Sequence, residues 1–287
     1  MKYIILFCMS LSCIIANAQD RFANVEIKTT KLTPQAFMLE GSGGNIMILV
    51  DDQQLLMVDS QYAPLSEKIK AAIREMSDLP ISYLVNTHHH GDHSGGNANF
   101  NSDITTIVAQ VNAKKRIENE NKDGKAIPEE TLDEEMTIAL DAQNIMLIHV
   151  HNAHTDGDTF VYAVDQNILH MGDVYFNGKY PYIDLKSGGS ISGYLEAHQT
   201  ALNMINEETI IIPGHGGVSN YEQFREYSIE LSKITERIES QIALKRTKEE
   251  IINDDSITEA TDNVGYGDGF INAKKFRETV YDSLTAK

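Results

Sequence analysis

Short unbroken apolar runs alternate with turn-forming polar clusters along most of the chain. Ile46-Met47-Ile48-Leu49-Val50 and Leu55-Leu56-Met57-Val58 are split by Asp51-Asp52-Gln53-Gln54, so Ala36 to Asp59 reads as strand-rich. From Ser66 to Met76 the period becomes helical, with Ile69, Ile73 and Met76 on one face. Ile81 to Val85 is a further buried strand and runs straight into Asn86-Thr87-His88-His89-His90-Gly91-Asp92-His93. Thr105–Ala109 predicts a strand and Val111–Asn119 a helix. The charged stretch Asn119–Glu135 predicts an exposed, mobile excursion. In the second half, Met136–Leu140, Ile145–Val150, Phe160–Val164, Ile168–Met171 and Thr209–Ile212 read as strands. Ser190–Met204, Tyr221–Lys245 and Ile271–Leu284 read as helices. This order suggests two sheets between helices.

The N-terminus has its own pattern. Met1-Lys2-Tyr3 precedes an apolar run from Ile4 to Ile15 and then Ala16-Asn17-Ala18. A basic start, a short apolar core and an Ala-x-Ala end predict a secretory signal peptide over 1–18, cleaved after Ala18. A buried N-terminal helix is the alternative. A lipid anchor on Cys13 ranks lower, because Ser10-Leu11-Ser12 fits an attachment site poorly. The only two cysteines, Cys8 and Cys13, lie in this segment. The mature protein, 19–287, would then lack thiols and disulfides and would reside in the periplasm or outside the cell. No Pro/Gly/Ser-rich linker divides it, which predicts one domain with helices at its C-terminal end.

Lys+Arg number 24 against 42 Asp+Glu, a formal charge of −18. Such a surface repels phosphate backbones and anionic headgroups, so neither nucleic acid nor stable membrane association is expected. A small-molecule substrate is the expected partner, and the oligomeric state is not legible.

The strongest chemical signal is His88-x-His90-x-Asp92-His93, four potential ligands within six residues on a loop leaving a strand. Imidazole nitrogen and carboxylate oxygen suit zinc; iron or manganese would also accept them. His154 in His154-Thr155-Asp156-Gly157-Asp158, Asp173 in Met171-Gly172-Asp173 and His215 in Pro213-Gly214-His215-Gly216 sit at strand ends beside glycine. Each is a weak signal alone; together with the first cluster they supply seven candidate ligands. His89 falls between ligands at alternate positions and faces elsewhere, either as a packed or solvated loop residue or as a pocket-wall or supporting group. His149, His151, His170 and His198 have ordinary structural readings. Asp156 and Asp158 are loop groups, one of which could orient a ligand.

With these motifs in this order, and Asp59 after Leu55–Val58, the chain from about Asn24 to past Val218 resembles the metallo-β-lactamase superfamily. The resemblance implies an α/β fold of αββα layering, two mixed β-sheets flanked by helices, with the site at one edge. It implies two Zn2+ per chain: His88, His90 and His154 on the first, Asp92, His93 and His215 on the second, and Asp173 bridging. Asp59 would fix the tautomer of a ligand histidine. It further implies a zinc-dependent hydrolase in which metal-bound hydroxide attacks an ester, thioester, lactone or β-lactam, with Asp92 as the catalytic side chain orienting the nucleophile or relaying a proton.

Departures narrow the choice. His90 stands where the diiron branch has Glu. Asp173 stands where one β-lactamase branch has Cys, and Phe176 where that branch has Lys. In Asn177-Gly178-Lys179-Tyr180-Pro181-Tyr182, Lys179 could bind a substrate carboxylate and Tyr180 or Tyr182 could line the pocket, though Gly178 and Pro181 equally suit a plain surface turn; the Tyr62–Leu65 loop could form another wall. Two other readings stay open: a class B-like β-lactamase, which export would suit, and a non-catalytic metal-binding accessory protein of a periplasmic pathway.

Overall fold

Runs such as Ile46–Val50 lack polar alternation because both of their faces are covered. In the computed structural model, which describes residues 21–286 apart from position 122, Met47 and Leu49 of this strand join one core. Ile46 and Ile48 join another on the opposite side. The expected leader at 1–18 lies outside the described residues.

One sheet holds seven strands in chain order: β1 (Lys28–Lys31), β2 (Ala36–Glu40), β3 (Ile46–Val50), β4 (Leu55–Val58), β5 (Ile81–Val85), β6 (Thr106–Gln110) and β7 (Glu130–Leu132). Pairs from β1 to β4 are antiparallel, and those from β4 to β7 parallel. The other sheet holds β8 (Glu135–Ala139), β9 (Asn144–Val150), β10 (Asp158–Ala163), β11 (Ile168–His170), β12 (Ile210–Ile212) and β13 (Ser219–Asn220), with β11 and β12 parallel. Both sheets are therefore mixed.

Three cores separate four layers. Val58, Val85 and Val108 meet Leu147, Val161 and Ile212 between the sheets. Ile46, Met57 and Ile107 pack with Leu65 and Ile69 beneath the helix Ser66–Arg74. Phe160, Leu169 and Ile211 face the helices Ile191–Met204, Tyr221–Ala243 and Ala273–Thr285 through Tyr194, Leu231 and Phe276. This is the expected αββα layering.

One stretch departs from the sequence reading. Asn119–Glu135 includes a 3-10 turn at Gly124–Ala126 and strand β7, so it is not simply an exposed excursion. The Glu129 carboxylate accepts the Ile107 backbone N–H at 2.7 Å, and Leu132 is buried. One apolar anchor and one side-chain-to-backbone bond thus seat a mostly polar strand, a pairing that hydropathy does not display.

His198, buried on the helix Ile191–Met204, donates Nε2–H to Val174 O at 2.8 Å, beside Asp173. Burial lowers its pKa to about 4 from 6.5. Between those values the unfolded chain binds the extra proton, so this stability is complete above pH 6.5 and is lost as pH falls toward 4. The span is worth about 3 kcal/mol. In metal-free protein, His198→Gln is expected to flatten the pH dependence of unfolding free energy across that window. An unchanged slope would refute the assignment.

Candidate metal centre

The ligand loops leave the same edge of both sheets. Asp59 follows β4, the segment 86–93 follows β5, His154 lies between β9 and β10, Asp173 follows β11 and His215 follows β12. Parallel strands deliver their following loops to a common edge, which is how residues far apart in sequence meet here.

They form two connected sets. In the first, His88 Nε2 lies 3.2 Å from His90 Nδ1, which lies 2.9 Å from His154 Nε2. Asp173 Oδ2 is 3.6 Å from His154 Nε2 and 3.9 Å from His88 Nε2. In the second, His215 Nε2 is 3.4 Å from Asp92 Oδ2, and His93 Nε2 is 3.9 Å from the same oxygen. The other Asp173 oxygen, Oδ1, approaches His93 Nε2 at 3.0 Å and His215 Nε2 at 3.3 Å. Asp173 thus stands between the sets, one oxygen toward each.

Hydrogen bonds fix which nitrogen points inward on four of the rings, those of His88, His90, His93 and His154. Asp59 Oδ2 accepts from His93 Nδ1 at 2.7 Å and from Thr87 Oγ1 at 2.7 Å, while Oδ1 accepts the Thr87 backbone N–H at 2.8 Å. With its proton committed, Thr87 Oγ1 accepts from His88 Nδ1 at 3.1 Å. His90 Nε2 donates to Asp184 Oδ2 at 3.2 Å, and His154 Nδ1 to the Tyr182 carbonyl at 2.7 Å. The inward nitrogens of His88, His90 and His154 are then lone pairs facing one another. Lone pairs at 2.9–3.2 Å repel; around one zinc ion, bonds near 2.0–2.1 Å place ligand atoms about 3.3 Å apart. Buried His93 Nε2 and Asp173 Oδ1 also lack a hydrogen-bond partner among the described residues. The donor set therefore fits a pair of divalent cations.

Electrostatics agree. Burial, with His93 and His154 nearby, holds His88 well below the usual imidazole range. Burial also lowers His154, to about 4. Burial opposes charge on His93, yet Asp173, Asp59 and Asp92 outweigh it and hold this imidazole well above that range. Burial would raise Asp173, but His93 and His215 hold it well below the usual carboxylate range. His88 and His154 are thus neutral imidazoles, and the second set is rich in carboxylate.

Close approach of backbone builds the cradle. A Cβ on Gly214 would lie 2.1 Å from Asp173 Oδ1, and one on Gly44 would lie 2.1 Å from the His93 ring. Neither position has room for a side chain. Asp59 itself adopts φ 62, a left-handed conformation, and its three hydrogen bonds hold it there.

All seven candidate ligands are brought together. His89 is buried beside His90, its Nε2 4.0 Å from Glu120 Oε1, and burial lowers it to about 3. Lys179 lines the cavity over the site, but its ammonium donates to the Gly265 carbonyl at 2.8 Å, so it is not a free anion receptor. Tyr180 also borders the cavity, while its hydroxyl turns away to Asp262 at 2.7 Å and its ring stacks on Phe276. Asp156 pairs with Arg116, and Asp158 holds the Thr155 backbone and hydroxyl, so neither bonds a ligand imidazole. Asp184 does so instead, and its backbone N–H also donates to His154 O at 2.9 Å. Sequence reasoning missed Asp184 and Thr87; the former resembles any Asp capping a turn, as it does at Lys186 and Ser187.

The site opens into a cavity of 680 Å³ whose floor carries His90, Asp92, Asp173 and His215. Tyr62, Phe176, Tyr182 and Phe270 contribute aromatic walls.

Comparison with known proteins places this geometry. A beta-lactamase-like protein 2 homolog of Caenorhabditis elegans is 26% identical over 226 residues, covering 75% of this chain and 66% of that protein. A hydroxyacylglutathione hydrolase of Prochlorococcus marinus is 32% identical over 145 residues, covering 48% of this chain and 52% of that protein. The chain spans between 40% and 66% of the length of the curated relatives it matches. Among solved structures, a stereoselective inverting sec-alkylsulfatase from Pseudomonas sp. superposes with TM-score 0.75 at 13% identity, over 90% of this chain and 50% of that one. A metallo-beta-lactamase from Pontibacter korlensis superposes with TM-score 0.63 at 17% identity, over 72% of this chain and 99% of that one. At such identities the structural likeness speaks for the fold. The metallo-beta-lactamase superfamily profile matches residues 39–215, from β2 through the last candidate ligand. The chain belongs to the metallo-beta-lactamase superfamily.

Proposed function

We propose that this chain is an exported dizinc hydrolase that cleaves a small acyl substrate, an ester, thioester, lactone or β-lactam. The observation that carries the reading is the meeting of seven nitrogen and carboxylate donors, four of them lining the floor of an open cavity. When bound there, zinc ions supply a water activated near neutral pH and polarisation of the substrate carbonyl. His88, His90 and His154 would hold one ion, Asp92, His93 and His215 the other, and Asp173 both. Asp92 lines the cavity and is the carboxylate best placed to orient the attacking water or accept its proton. Thr87, Asp59 and Asp184 keep the ligand rings in the required tautomers. The likeness to hydroxyacylglutathione hydrolases supports acyl cleavage. The N-terminal pattern of Met1–Ala18 supports export, and no helix among the described residues is long and apolar enough to cross a membrane.

The test uses protein recovered from a bacterial periplasm and checked for a start at Gln19. Two equivalents of zinc by elemental analysis are expected, with turnover of at least one member of an ester, thioester, lactone and cephalosporin panel. A chelator should abolish that turnover and added zinc restore it. Metal-replete protein inert across the panel would overturn the hydrolase reading.

A further inference from the structure

We infer that Tyr182 and Phe270 clamp an apolar, ring-bearing group of the substrate beside the metal centre, and that Lys179 is a positioning residue for the segment carrying Phe270. This rests on reading the cavity as the hydrolytic site.

An aromatic wall runs outward from the ligands. The Tyr182 ring lies 5.8 Å from the His154 ring and 6.0 Å from the His90 ring, centroid to centroid. Phe270 meets Tyr182 nearly edge-on, at 5.9 Å and 82°. Phe270 is 88% exposed although it lines the cavity, so its ring faces remain open to a ligand. A third ring placed against the open face of Phe270 or Tyr182 would gain the same offset-stacked or edge-to-face contact that this pair makes. The cavity volume of 680 Å³ far exceeds what an acetyl group fills and lies in the range of drug-sized ligand pockets.

The segment bearing Phe270 is held from below. Lys179 Nζ donates to Gly265 O at 2.8 Å, and Gly265 turns the chain at φ 86. Further along, the aliphatic stem of Lys179 underlies Gly269, where an added Cβ would meet Lys179 Cδ at 3.2 Å. The Tyr180 backbone N–H donates to Tyr266 O at 3.1 Å, and Asn272 caps the helix Ala273–Thr285 at the far end. Lys179 therefore reaches both the start of the segment and the residue preceding Phe270. Its stem and ammonium are used in aiming that ring.

The test is calorimetric binding of butyrate and 4-phenylbutyrate to the zinc-loaded chain. Both probes carry one carboxylate, so any attraction of that group to zinc or to Lys179 cancels in their ratio. 4-Phenylbutyrate is expected to bind at least about tenfold more tightly than butyrate. Phe270→Ala and Lys179→Met should each reduce the ratio to about twofold or less, while Lys179→Arg, which keeps a donor for Gly265 O, should retain it. Leu244→Ala, an exposed apolar site outside the cavity lining, should leave the ratio as in the parent protein. A parent ratio near one, a ratio that survives Phe270→Ala, or no 4-phenylbutyrate binding up to about 10 mM would overturn the inference. Missing chelator-sensitive turnover with the ratio intact would sink the hydrolase reading alone. Turnover with a ratio near one would sink the clamp alone.

Discussion

Asp173→Ala is expected to lower kcat/KM by about a thousandfold or more, close to 4 kcal/mol of transition-state stabilisation. The reason is its double engagement: Oδ1 serves His93 and His215 while Oδ2 faces His154 and His88. Removing it takes one donor from each set. It also strips the carboxylate whose charge offsets clustered imidazoles in a buried place. On the proposed dizinc reading, zinc content by elemental analysis should fall below two equivalents in parallel with the rate. Asp173→Asn retains shape and hydrogen-bonding capacity but lacks charge, and should recover only a small part of the loss. If Asp173→Ala kept two zinc ions and activity within about tenfold of the parent, the bridging position would have no functional meaning.

Asp59→Asn should weaken binding of the second zinc equivalent by about 10–100-fold, the range seen when groups behind metal ligands are altered. Asp59 does not itself line the cavity, so its effect passes through the residues it holds. Its carboxylate accepts three hydrogen bonds, from Thr87 N, Thr87 Oγ1 and His93 Nδ1. An amide nitrogen in place of Oδ2 would face two donors, and His93 would lose the bond that aims Nε2 at Asp173. Affinity for the first ion should fall less, because His88 feels Asp59 only through Thr87. Zinc titration against a competing indicator separates the two steps. Equal weakening of both, or none, would show that the Thr87–Asp59 web does not orient His93.

Both predictions concern how ligands are held, and this is where sequence and structure part. The strands could be read because doubly covered segments such as Ile46–Val50 and Leu55–Val58 must be apolar on both faces. The ligands could be read because His88-x-His90-x-Asp92-His93 packs chelating groups at a density that surface chemistry alone rarely produces. His154, Asp173 and His215 became legible through the family order of the motifs, since one histidine or aspartate at a strand end carries little information. β7 escaped notice because its seating depends on Leu132 and on a Glu129 bond to the Ile107 backbone.

The pattern along the chain thus determined the layering and the first four donors, and the order of the motifs determined the family and the remaining three. Only the three-dimensional arrangement decided which oxygen of Asp173 serves which set, that Asp184 rather than Asp156 or Asp158 steadies a ligand, and that Lys179 is committed to Gly265 instead of standing free. It also brought Phe270 and Ile271 over a cavity whose metal-binding floor, His90 to His215, lies far earlier in the chain. The physical reason is range. Hydrophobic period and ligand spacing are written by neighbours a few residues apart, whereas a hydrogen bond such as His90–Asp184 joins positions 94 apart in sequence and exists only after the sheets have closed.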